Sequence, residues 1–155
     1  MDSSLTIRFT NCSFHGRDHR KCGFSSLSGN DENRLLADCT DDMKNHLSKC
    51  HLSRSSLTEY QVILARAGIF RWTEDILETM SICSTHRDNF GKYWRSPTTC
   101  RYPIHKSRLR AVKQGSNARV VNLEMSTQIM DLYGVNIPIG SRTYDVKFPV
   151  LMLPH

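Results

Sequence analysis

The sequence predicts an α+β fold: a small zinc-stabilised domain of three to four short helices with short peripheral strands. Three observations predict it. Capped stretches with one apolar face recur through the middle of the chain, short alternating runs lie toward its ends, and six Cys and seven His fall within 155 residues. That length corresponds to one domain, since domains typically run to about 100–200 residues. An apolar share of 39% and a charged share of 23% exclude collagen, coiled-coil rods and wholly disordered chains.

Leu5-Thr6-Ile7-Arg8-Phe9 alternates apolar and polar residues and reads as a strand. Residues 25–33 are polar and turn-rich, and read as a linker. Three regions are therefore expected: a Cys/His knuckle or arm with its linker over 1–33, a main helical zinc-binding domain over 34–140, and a tail over 141–155. Thr40 followed by Asp41 and Asp42 marks a helix start, and Met43, His46, Leu47 and Cys50 then share a face. Ser56-Leu57-Thr58-Glu59 has the form of a capping box, opening a helix that carries Leu57, Tyr60, Ile63, Leu64 and Ala67 inward and stops at Gly68. Thr73-Glu74-Asp75 opens a short helix with Ile76, Leu77 and Met80 as its stripe. Leu123 to Tyr133 forms another, with Met125, Ile129 and Leu132 on one side and Gly134 at its end. Val135-Asn136-Ile137 and Val146-Lys147-Phe148 are short β-like runs. These faces are core signals, and too few to stabilise the chain by burial alone, which is the first argument for a structural metal.

The second argument is ligand spacing. Cys83-Ser84-Thr85-His86 is followed, after 13 residues, by Cys100-Arg101-Tyr102-Pro103-Ile104-His105. Two such pairs can converge on one tetrahedral ion, with sulfur at ~2.3 Å and nitrogen at ~2.0–2.1 Å. Cys50 could displace one of them, so Cys50, Cys83, His86, Cys100 and His105 compete for four positions. Asp88 to Gly91 would form the turn between the pairs, and Tyr93 and Trp94 would either roof the site or fill the small core beside it. A second cluster, Cys12, His15, His19 and Cys22, is palindromic in ligand type, and its four residues are close together for one ion. Sites are usually built from two separated pairs, so one of its pairs could join Cys39 or His46 instead. Cys39 otherwise reads as a small core hydrophobe, and His51 and His155 as exposed.

In a general way the Cys-x2-His and Cys-x4-His halves resemble treble-clef or knuckle-type zinc fingers over residues 50–105. They depart from the RING, PHD and Cys2His2 patterns, so no residue role is carried over.

Charge points to the partner. The net charge is +6, but Asn89 to Leu123 holds eight basic residues and no acidic one, leaving the remainder of the chain at −2. Lys92, Arg95, Arg101, Lys106, Arg108, Arg110 and Lys113 are the expected nucleic-acid contacts, interleaved with Tyr93, Trp94 and Tyr102. The run from Lys106 to Lys113 also suits nuclear import. The N-terminus has no apolar secretory segment and no run is long enough to span a bilayer, so an intracellular, more particularly nuclear, protein is expected. In a reducing compartment six cysteines are thiols or metal ligands.

The expected function is thus a non-enzymatic module, with structural Zn2+, that binds DNA or RNA through residues 89–123. The alternative is a zinc-dependent protein-interaction module of a regulatory complex, using the apolar run Val146–Leu153. A zinc hydrolase or nuclease would need an open coordination position and a base, for which only His51 and Asp88 offer themselves.

Overall fold

The ability of each short segment to satisfy its own backbone ends sets the architecture seen in a computed structural model of the chain, which describes residues 11–23, 25, 33–96 and 119–143. In chain order these hold strand β1 (Arg34–Leu35), a 3-10 turn (Leu36–Asp38), helices α1 (Lys44–Lys49), α2 (Glu59–Arg66) and α3 (Glu74–Thr79), and strand β2 (Ser81–Ile82). Helix α4 (Ser84–Phe90), strand β3 (Arg119–Val120), helix α5 (Leu123–Tyr133) and strand β4 (Arg142–Thr143) follow. The result is α+β in character, helices with a few short antiparallel strands. Leu5–Phe9 and Val146–Phe148 lie outside the described residues. Among the described residues no helix is long and apolar enough to cross a membrane.

The chain divides into two units, one from Met1–Met43 and Leu57–Trp94, the other from Lys44–Ser56 and Arg95–His155. In the first, β1 and β2 pair antiparallel, Arg34 opposite Ile82 and Leu35 opposite Ser81. The ladder is prolonged where Leu36 N donates to Met80 O at 2.9 Å. Phe14, Leu36, Cys39, Ile63, Leu64, Leu77, Ile82 and Phe90 belong to one buried apolar cluster. Helix α2 is buried almost all round, so it carries a charge inside: Arg66 is fully buried. Its guanidinium is satisfied locally, with Nη1 donating to Phe90 O and Gly91 O at 3.0 Å each and the charge lying 4.0 Å from the centroid of a Trp94 ring.

The start of α2 differs from the expected box. Thr58 is the N-cap, and its N–H donates to Gln61 Oε1 at 2.9 Å. Glu59 is released from that role because it is buried and paired with Arg87. The helix closes as expected near Gly68, whose φ of +81° lets Ile69 N reach back to Leu64 O at 2.9 Å. Helix α3 is capped by Thr73, whose Oγ1 accepts from Ile76 N at 3.3 Å.

In the second unit β3 and β4 pair antiparallel, Arg119 opposite Thr143 and Val120 opposite Arg142. Asn122 caps α5 through Met125 N at 2.9 Å, and Gly134, at φ +66°, ends it by donating to Met130 O at 2.8 Å. Val121, Met125, Ile129, Ile137 and Ile139 are buried. Val135–Ile137 is not a strand: the carbonyl of Ile137 is taken by the Ser126 hydroxyl and Pro138 has no N–H to offer a ladder. Helix α1 starts at Lys44 rather than Thr40, and Asp41 forms an ion pair with Lys92 at 2.7 Å instead of facing the helix end.

Candidate metal centre

Two stretches far apart in the chain converge on one point in the first unit. The earlier is the loop from Cys12 to Cys22. It folds on itself through His15 N to Cys12 O at 3.1 Å and Arg17 N to Phe14 O at 3.0 Å, with Gly16 at φ +82° allowing the reversal. Asp18 Oδ1 accepts from Arg20 N at 2.9 Å, a local turn of the kind Asp favours. The loop is fastened to the body by Ser13 N donating to Ser81 O at 3.0 Å, and by Thr85 N and Thr85 Oγ1 donating to Gly23 O at 3.2 and 3.0 Å. Phe14 is fully buried and meets Phe90 at a ring-centroid distance of 5.9 Å.

The later stretch is the entry to α4. Cys83 is its N-cap, with Sγ accepting from His86 N at 3.5 Å, so both side chains of the Cys-x2-His pair project from one helix start. The His86 ring stacks on Phe90 at 6.0 Å and is fully buried. Its Nδ1 then lies 3.1 Å from Cys83 Sγ, 3.4 Å from Cys12 Sγ and 3.7 Å from Cys22 Sγ. Cys22 Sγ is 3.6 Å from Cys12 Sγ, far beyond a disulfide bond of ~2.05 Å. None of Cys12, Cys22, Cys39, Cys50 and Cys83 is in a disulfide.

Cys12, Cys22, Cys83 and His86 thus present three sulfurs and one nitrogen, all within 4.8 Å of one another, and could hold a metal ion. The spacing can be checked against a tetrahedron. Metal–sulfur bonds of ~2.3 Å and metal–nitrogen bonds of ~2.0–2.1 Å give edges of ~3.8 Å between sulfurs and ~3.6 Å between sulfur and nitrogen. The sulfur–sulfur edge of 3.6 Å between Cys12 and Cys22 and the sulfur–nitrogen edges of 3.4 and 3.7 Å from Cys12 and Cys22 to His86 lie near that frame, while the 3.1 Å edge between Cys83 and His86 is shorter than it.

The cluster holds its protons unevenly. A hydrogen bond from Cys12 and a further one from His86 hold the Cys83 thiol down at about 3 against its burial. The same contact with Cys83, together with burial, pushes Cys12 far above the ordinary thiol range. Burial opposes a charge on His86, but the hydrogen bond and charge of Cys83, and the charge of Asp18, outweigh it and raise its pKa. On the far side of the imidazole, Asp18 Oδ1 lies 3.3 Å from Nε2, outside hydrogen-bond alignment, and Nε2 has no other hydrogen-bond partner among the described residues. A carboxylate behind a ligating imidazole fixes its tautomer and raises its basicity.

The four residues come half from each of the two ligand sets read in the sequence. Of the first set, Cys83 and His86 are in the cluster, while Cys50 belongs to the second unit, 3.7 Å from His46 Nε2. Cys100 and His105 lie outside the described residues. Of the second set, Cys12 and Cys22 are in the cluster, His15 Nδ1 stands 4.0 Å from Cys22 Sγ on the exposed side, and His19 is exposed. Cys39 is buried in the apolar core. Asp18 was not singled out from the sequence, where nothing but its position three residues after His15 marks it.

Of the expected nucleic-acid contacts, Lys92 pairs with Asp41 at 2.7 Å and Arg95 is exposed. Arg101, Lys106, Arg108, Arg110 and Lys113 lie outside the described residues. Trp94 packs beneath Arg66 rather than over the ligands. His51 has a positive φ of 60° and its Nε2 meets Arg142 Nη2 at 2.9 Å. Asp88 is buried on α4, with Oδ2 lacking a hydrogen-bond partner among the described residues. No protein-family model, no curated protein and no solved structure matches this chain.

Proposed function

We propose that the chain is a non-enzymatic zinc module whose ion is structural, and that its basic surface engages nucleic acid. The observation that carries the first part is the Cys12–Cys22–Cys83–His86 cluster itself. Three thiolates with one imidazole in tetrahedral spacing select zinc or iron, and disfavour magnesium and calcium, which take oxygen. Cys12, Cys83 and His86 are buried and all four positions are supplied by protein, which supports a closed structural site over a catalytic one with water in the fourth place. Such an ion would tie residues 12–22 to α4, adding to the packing of Phe14 on Phe90 and the bond from Arg20 to Asn89.

The second part is supported by charge. Three thiolates around a divalent zinc leave the centre at −1, and Arg17, Arg20 and Lys21 on the surrounding loop are exposed, more than offsetting it. With the acid-free window from Asn89 to Leu123, this gives the module a basic character suited to phosphate contact.

Zinc counted by native mass spectrometry on protein purified under reducing conditions tests the first part; zinc absent from folded, reduced protein overturns it. Fluorescence anisotropy with single-stranded and duplex oligonucleotides tests the second. Affinity should fall steeply with salt as counterions are released. Binding that ignores salt, or no binding, overturns it.

A further inference from the structure

Resting on the zinc site proposed above, we propose that Cys12 and Cys22 are also a redox modification site: a hydroperoxide joins their sulfurs in a disulfide and thereby expels the ion. Position in the chain separates this pair from the third thiol. Cys12 Sγ and Cys22 Sγ are 3.6 Å apart, and Cys12 N donates to Cys22 Sγ at 3.3 Å, so the Cys22 side chain already lies across the start of the loop. Both residues belong to that one loop, and closing the gap to the ~2.05 Å of a disulfide is a movement within it. Cys83 is held differently. It caps α4, with Sγ accepting from His86 N at 3.5 Å, so drawing its sulfur into a bond would undo the helix start.

Access singles out the sulfur that reacts first. Cys22 is the half-buried member of the cluster, while Cys12, Cys83 and His86 are buried. The exposed His15 stands on its open flank, with Nδ1 4.0 Å from Cys22 Sγ. A Cβ on the following Gly23 would meet nothing within 4 Å among the described residues, so the end of the loop has room to shift. An accessible sulfur beside a buried resolving cysteine is the arrangement of thiols that respond to oxidants.

The chemistry closes with hydrogen peroxide as the oxidant. The Cys22 thiolate attacks one peroxide oxygen; an S–O bond forms, the O–O bond breaks, and the departing hydroxide takes a proton from solvent. The Cys12 thiolate then attacks the Cys22 sulfur; the S–S bond forms, the S–O bond breaks, and a second hydroxide leaves and is protonated. Each sulfur is oxidised by one electron and the peroxide is reduced by two, to two waters. Zinc binds thiolate sulfur, which neither cysteine offers any longer. Cys83 and His86 alone remain, half of the donor set, and the ion departs.

The test uses the full chain, purified under reducing conditions, freed of reductant and loaded with zinc. Native mass spectrometry counts the zinc before any oxidant is added. Hydrogen peroxide is then supplied while a chromophoric chelator records free zinc, and one zinc should appear for each disulfide formed. Arg17, Arg20 and Lys21 lie between the two cysteines, so tryptic peptides carrying Cys12 and Cys22 separate unless the disulfide joins them, and non-reducing peptide mapping identifies the pair. A thiol reductant with fresh zinc should reverse both changes. In Cys12→Ser the oxidation should stop at a sulfenic acid on Cys22, trapped by dimedone. No zinc before the peroxide overturns the zinc site and this proposal together. Zinc retained after peroxide, or released with a disulfide through Cys83 or with sulfinic acid in place of any disulfide, overturns this proposal and leaves the zinc site standing. A sulfenic acid found on another cysteine in Cys12→Ser does the same. Should that variant fail to fold, the wild-type peptide map and zinc count decide alone.

Discussion

Arg87 grips Glu59 with both arms of its guanidinium, Nε to Oε2 at 2.7 Å and Nη2 to Oε1 at 2.9 Å. Glu59 is buried on α2 and also accepts from Asp41 N at 3.0 Å, while Arg87 follows His86 directly on α4. The fork therefore fixes the helix that carries the His86 imidazole of the candidate cluster against α2 in the core. Its geometry is bidentate and charge-assisted, and the carboxylate holds the Arg87 pKa above its ordinary value. Glu59→Ala would leave a largely buried guanidinium with only its longer contact to Asp41 at 3.4 Å, and should cost roughly 3 kcal/mol, the scale for breaking a buried pair. Chemical denaturation should show a lower midpoint at unchanged slope.

Asp18 reaches the other side of the same imidazole. With Oδ1 3.3 Å from His86 Nε2, Asp18 would act in a zinc-loaded cluster as a positioning residue behind the imidazole and not as a further donor. Asp18→Ala should weaken zinc binding 10–100-fold, the usual effect of removing such a partner. Competition against a chromophoric chelator would measure it. Circular dichroism of the zinc-loaded variant should be unchanged, because Asp18 is on the surface of the loop and only partly buried.

Gly91 closes α4, donating to Arg87 O at 2.9 Å. A Cβ there would stand 2.5 Å from that same Arg87 oxygen, a backbone atom that cannot swing aside. The carbonyl of Gly91 also receives Arg66 Nη1 at 3.0 Å, so any shift disturbs the one buried guanidinium of α2. Gly91→Ala should therefore destabilise the fold by about 1–3 kcal/mol, as over-packing in a tight site does. Thermal melts of the two proteins, both saturated with zinc, would show it.

How far the sequence could be read follows from the range over which each signal acts. Helix α5 begins at Leu123 and ends at Tyr133 as periodicity and Gly134 predict, because its Asn122 cap and its left-handed stop are both local. The cap of α2 is Thr58, two residues beyond Ser56, because Glu59, which has the spacing of a box partner for Ser56, is claimed by Arg87 28 positions away. The metal centre shows the same limit. Cys-x2-His marks Cys83 and His86 as a pair, and Cys12 and Cys22 as members of a cluster, but spacing says nothing of which pair meets which. That pairing is decided by the antiparallel ladder at Ser81–Ile82 and by Ser13 and Ser81 bonding across 68 residues. Asp18, whose role exists only once His86 is opposite it, has no signal within its own segment.

Metal removal should expose how much of this depends on the ion. A high-affinity chelator should loosen residues 15–22, which lie beyond the buried Phe14 anchor and are otherwise tied to the body by hydrogen bonds such as those from Arg20 to Asn89 and through Gly23 to Thr85. Limited trypsinolysis should then cut at Arg17, Arg20 or Lys21, all exposed, at rates at least tenfold higher than in the loaded protein. Zinc returned under reducing conditions should restore protection, as expected where binding and folding are coupled.

Cys39 gives a prediction free of the metal. Burial is the main cause that pushes its thiol from 9.0 to about 11, opposed in part by the charge of Arg87. The folded state therefore favours the neutral thiol more than the unfolded chain does. The stability this contributes is fully present below pH 9, the unfolded value, and is lost as pH rises toward 11. Within that window the loss approaches ~1.4 kcal/mol per pH unit, the free energy equivalent of one pKa unit. Cys39→Ala lacks the titrating group, so it should be less stable than the wild type at pH 8 through lost packing and lose less stability on going to alkaline pH. Denaturation midpoints of both zinc-saturated proteins between pH 8 and 11 would check this, and a stability difference that stays constant across the range would show that the Cys39 thiol titrates no differently when folded.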